Sequence, residues 1–89
     1  MRIKQGFTLR SVAGEYIVAG EGLQQVNFNK LIALNASAAY LWREVEGKEF
    51  DIELLAGLLM AKYGLPAGQA MGDASGIAGE WVKSGIAET

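Results

Sequence analysis

Leu31-Ile32-Ala33-Leu34-Asn35-Ala36-Ser37-Ala38-Ala39-Tyr40-Leu41-Trp42 contains a change of structural period. The first four residues are a short apolar run of strand length, ending at a residue that favours helix starts. Asn35 offers a side-chain oxygen to the free amides of a first helical turn. Beyond it, Ala38, Leu41, Trp42 and Val45 recur at helical spacing, and Gly47 is placed to end the helix in the left-handed conformation. The stretch predicts a strand over 31–34 handing directly to a helix over roughly 36–46.

The N-terminal side of this junction reads as β-structure. Phe7-Thr8-Leu9-Arg10-Ser11-Val12 alternates apolar and polar residues, Ala13-Gly14 is a tight-turn candidate, and Glu15-Tyr16-Ile17-Val18-Ala19 is rich in β-branched and aromatic side chains. Together they predict a hairpin. Gly20-Glu21-Gly22 breaks the pattern, Gln24-Gln25-Val26-Asn27-Phe28 resumes alternation, and Asn29-Lys30 can turn. Whether the runs at 24–28 and 31–34 form a second hairpin or one irregular strand is open at this level.

On the C-terminal side two more helices follow. Asp51 is a cap, and Phe50 with Leu55 has the spacing of a hydrophobic staple. Ile52, Leu55, Ala56, Leu59 and Tyr63 line one face of the second helix. Leu54 and Leu58 widen it, predicting burial on two sides. Gly64 ends this helix. A third runs from about 67 to 84, with Ala70, Ala74, Ile77 and Trp81 on one face and Ile77, Trp81 and Val82 expected to hold it to the core. Gly68, Gly72, Gly76 and Gly79 sit inside it in a narrow stripe opposite the apolar face. Each interior glycine costs about 1 kcal/mol relative to alanine, so the helix must lean on tertiary contacts. The stripe reads either as poor helix formers at exposed positions or as a bare groove where another backbone can approach.

Composition narrows the chemistry. The 89 residues hold no cysteine and no histidine. Disulfides, thiolate nucleophiles and sulfur ligands are absent, and so is the commonest general base. A formal net charge of −2 suits nucleic acid poorly. No apolar run is long enough to span a bilayer, and the N-terminus lacks the apolar stretch of a secretory signal, so a cytoplasmic address is the default. The length, with no repeat or linker, predicts a single domain over 1–89.

The ordered set of motifs resembles the PqqD-like family, named for a small protein of pyrroloquinoline quinone biosynthesis. Phe7-x-Leu9-Arg10-x-Val12-x-Gly14-Glu15-Tyr16-Ile17-Val18 resembles the family's opening hairpin. Phe28-Asn29-x-Leu31-Ile32-x-Leu34-Asn35-x-x-Ala38-Ala39-Tyr40-Leu41-Trp42 resembles its strand-to-helix core, and Glu53-x-Leu55-Ala56-x-Leu58-Leu59-x-x-Tyr63 its second helix. The likeness covers about residues 6–65 and fades in the glycine-rich third helix. It implies an α+β, winged-helix-like fold: a small N-terminal antiparallel β-sheet followed by a three-helix bundle.

The resemblance also implies a non-catalytic role without cofactor or metal. Such a domain captures the leader of a ribosomally made precursor peptide by strand addition and presents it to a modifying enzyme, often a radical S-adenosylmethionine protein. An extended peptide gains backbone bonds at an exposed sheet edge and selectivity from side-chain pockets. Leu31, Ile32, Ala33 and Leu34 are the expected edge, and Asp73, Ile77 and Trp81 the expected groove lining from the third helix. Neither nucleic acid nor membrane is an expected partner. A homodimer through the open edge stays open, as does exchange of elements about the glycines at 20 and 22. The alternative from another class is a winged-helix nucleic-acid-binding or transcription-regulating module. The third helix opposes it, because Lys83 is its one cation against Asp73 and Glu80.

Overall fold

The computed structural model describes residues 1–20 and 31–89. The expected run at 24–28 and the turn at 29–30 lie outside them, as do Glu21 and Gly22; Gly20 closes a strand. The elements are β1 (Arg2–Ile3), β2 (Phe7–Val12), β3 (Glu15–Gly20), β4 (Leu31–Leu34), α1 (Ala36–Val45), α2 (Ile52–Tyr63), α3 (Ala67–Lys83) and β5 (Ala87–Glu88). A small antiparallel sheet followed by three helices is the α+β order expected from the sequence.

The sheet is ordered β2-β3-β4, antiparallel throughout. Its hairpin turns through Ala13 and Gly14, with φ of 52° and 82°. Both positive values are what a two-residue type I′ turn requires, and this turn matches the twist of the flanking strands. Leu9, Val18 and Ile32 are cross-strand partners, as are Tyr16 and Leu34; this row faces the helices, and Val18 is fully buried. Thr8, Ala19 and Leu31 share the opposite face with Arg10, Ile17 and Ala33.

Asn35 caps α1 as its chemistry predicts: the Ala38 amide donates to Asn35 Oδ1 at 2.8 Å, and the Ser37 hydroxyl donates to the same oxygen at 3.0 Å. Asp51 caps α2, accepting from the Leu54 amide at 2.7 Å. Gly64 closes α2 with φ of 67°, donating its amide to the Met60 carbonyl at 2.9 Å.

The core gathers where the helices meet the inner sheet face. Trp42 and Trp81 cross edge to face with centroids 5.5 Å apart, and Phe50 meets Trp81 in the same way at 6.0 Å. Ala70, Ala74 and Ala78 give α3 a thin buried face that lets α2 pack closely through Leu55, Ala56 and Leu59. Two expectations are corrected here. α2 is buried on one side only, since Leu54 is 44% and Tyr63 43% exposed. Among the described residues no further layer covers its outer face. Val82 does not anchor α3: at 39% exposure it points outward, one residue round the helix from buried Trp81.

One pairing was not anticipated from the sequence. β1 and β5 form a two-stranded ribbon, with Arg2 opposite Glu88 and Ile3 opposite Ala87. The Lys4 amide donates to the Ile86 carbonyl at 3.0 Å, and the Phe50 amide to the Met1 carbonyl at 2.8 Å. Ile86 is fully buried beside this ribbon. Among the described residues, no helix is long and apolar enough to cross a membrane.

Candidate functional site

Strand order and hairpin register together decide which backbone groups remain open. In a two-residue hairpin the closing pair, Val12 and Glu15, is hydrogen-bonded in both directions. Bonded pairs alternate along an antiparallel ladder, so Arg10–Ile17 and Thr8–Ala19 also bond across β2 and β3. Tyr16 and Val18 therefore turn their backbone groups to β4, to Leu34 and Ile32. Leu31 and Ala33 are left with amides and carbonyls directed away from β3. Among the described residues no strand pairs with that side of β4.

A groove lies along this edge. It is bounded by Ile32, Ala33 and Leu34 of β4, by Asn35, Ser37 and Ala38 at the start of α1, and by α3 from Gly72 to its C-cap Ser84. Its volume is about 630 Å³. The α3 wall is a helical stripe: Gly72 and Asp73, then Gly76 and Ile77, then Glu80 and Trp81, with Ser84 at the end. From Gly72 to Ser84 the helix rises about 18 Å. That length accommodates about five residues of extended chain.

Six of the seven residues singled out from the sequence thus line one groove: Ile32, Ala33, Leu34, Asp73, Ile77 and Trp81. Leu31 does not. Its side chain is 67% exposed on the outer face of the sheet, although its backbone is on the open edge. Trp81 has two roles. It is only 2% exposed and packs on Trp42 and Phe50, yet it contributes to the groove floor.

Gly72, Gly76 and Glu80 were not assigned to the site beforehand. The signal was available, because Gly76 and Glu80 fall three and seven residues after Asp73 and share its face, and Gly72 lies one turn before Gly76. Of the four α3 glycines in the sequence stripe, Gly72 and Gly76 line the groove while Gly68 and Gly79 do not. A Cβ added at either groove glycine would meet nothing within 4 Å, so packing within the chain does not demand glycine there.

The electrostatics of the groove are one-sided. Among the described residues, Asp73 and Glu80 are the only charged residues lining it, and neither forms an ion pair there. Two ion pairs among the described residues, from Glu49 to the Met1 ammonium at 3.6 Å and to Arg2 Nε at 3.5 Å, lie elsewhere on the surface.

No curated protein and no solved structure matches the chain. The family model described as Coenzyme PQQ synthesis protein D (PqqD) matches residues 9–87, nearly the whole length, and the chain belongs to that family.

Proposed function

We propose that this chain is a non-catalytic binder of a precursor peptide, taking the leader as an added strand along β4 and presenting the remainder to a modifying enzyme. Membership of the PqqD family supports a role in handling a peptide that awaits modification. The observation that carries the proposal is the open edge of β4 beside the α3 groove. The backbone groups of Leu31 and Ala33 supply the hydrogen bonds of an incoming strand, and Ile32, Leu34, Ile77 and Trp81 receive its inward side chains. The enzyme is of the radical S-adenosylmethionine class in this reading. Its docking leaves the groove occupied and the peptide's core segment free.

The test is a titration of the isotopically labelled protein with its candidate leader, following backbone amides. Shifts concentrated at 31–34 and 70–82 are the expected result. Ala33→Pro then removes one edge donor without breaking a bond to β3, since proline is tolerated where its nitrogen faces away from the ladder. Binding should fall at least tenfold while the thermal transition stays cooperative. Shifts elsewhere, or unchanged affinity in Ala33→Pro, would refute strand addition at β4.

A further inference from the structure

We infer that the peptide recognised by this groove is basic: a strand whose inward side chains include lysine or arginine beside Asp73 and Glu80. The inference rests on the peptide-binding reading above and specifies its substrate class. A strand added to β4 alternates its side chains between two faces. One set follows Ala33 and Leu31 outward, where the nearest cross-strand row is Ile17 and Arg10. The other follows Ile32 and Leu34 into the groove, against α3. Among the described residues, the charge that inward set meets is negative, from two carboxylates seven residues apart and about 10 Å along the helix axis.

Among the described lining residues no cationic side chain offsets this charge. Lys83, the single cation of α3, is not among the lining residues. The start of α1 borders the groove, and a helix N-terminus favours anions. Here Asn35 Oδ1 already takes the Ala38 amide and the Ser37 hydroxyl, so part of that end is satisfied within the chain. Gly72 and Gly76 supply width, so a long cationic side chain can cross the bare helix surface and lay its methylenes over Ile77 and Trp81. Complementary charge across such a surface mainly raises the association rate and rejects like-charged competitors.

The experiment selects from a displayed library of random dodecapeptides at about 20 mM salt, where charge effects between exposed groups reach furthest. The full chain and the double variant Asp73→Asn/Glu80→Gln are panned in parallel, and the leading peptide is mapped by amide shifts. The expected result is a pool enriched in lysine and arginine that moves the β4 amides. Its affinity should fall about tenfold between low salt and 0.5 M salt, and its basic excess should vanish on the double variant. A neutral or acidic pool that still binds β4 overturns this inference and leaves strand addition standing. A basic excess that persists on the double variant overturns it too, tracing the preference to overall charge. If no peptide is enriched, or the shifts avoid β4, both the inference and the peptide-binding reading fail.

Discussion

Replacing Gly76 by alanine should move stability and binding in opposite directions. Gly76 lies in the middle of α3, exposed, and an added Cβ would have no atom within 4 Å. The substitution therefore creates no clash inside the chain and removes the entropic cost of an interior helical glycine. The gain expected is about 1 kcal/mol. For a chain of this size that raises the thermal midpoint by about 4–8 °C. The same methyl projects into the groove, where it crowds an occupant; overpacking a fitted contact costs about 1–3 kcal/mol. A peptide bound along β4 should therefore bind about tenfold more weakly. Gly79→Ala is the internal control, because its Cβ site is equally empty but lies off the groove. It should stabilise by a similar amount and leave affinity unchanged. Thermal unfolding followed by circular dichroism and calorimetric titration measure the two quantities. A lower midpoint for Gly76→Ala would refute the helix argument. A midpoint gain with affinity equal to that of Gly79→Ala would mean that no ligand reaches this wall.

Ala13 carries φ of 52° in the hairpin turn, and Ala13→Asn should stabilise by about 0.5–1 kcal/mol by placing a residue that tolerates that region, measured by urea denaturation. Asn35→Ala should cost about 1 kcal/mol by orphaning the Ala38 amide, again read from the urea midpoint. Trp81→Ala should cost about 3–5 kcal/mol and leave the protein largely unfolded at 37 °C, because it empties the site between Trp42 and Phe50. Trp81→Phe keeps most of that packing and should fold, with binding weakened at the groove floor. Glu49→Gln should change stability by less than about 0.5 kcal/mol, as its ion pairs are exposed, with a differential scan as the check.

The strand-to-helix junction was legible because its signals are local: a cap at Asn35, a period of 3.6 beyond it, and a glycine at 47. The hairpin was legible for the same reason, through Ala13-Gly14. What stayed hidden depended on topology. Leu31-Ile32-Ala33-Leu34 is apolar at every position, so it carries no alternation to say which side chains face inward; pairing with β3 decides that, and it sends Leu31 outward. Which edge of the strand is open is likewise a property of strand order. The β1–β5 ribbon has two residues per strand, too few for any period, and the buried Ile86 sits in a tail with no pattern around it. The width of the apolar face on α2 misled, because a run of leucines does not state whether a further layer exists to cover it. The groove wall was half visible: Asp73, Ile77 and Trp81 share a helical face, but which of the four glycines border a groove shows only once β4 lies opposite.

The β1–β5 ribbon has a topological consequence beyond the buried area it adds. Arg2 stands opposite Glu88, so the outer ends of β1 and β5 lie about 5 Å apart across the ladder. A unit whose ends emerge side by side can be spliced into a surface loop of a larger catalytic polypeptide with short tethers and no distortion of either host or guest. In such a graft, a peptide bound as proposed would lie near the host's reaction centre at millimolar effective concentration, turning a two-body encounter into an intramolecular one.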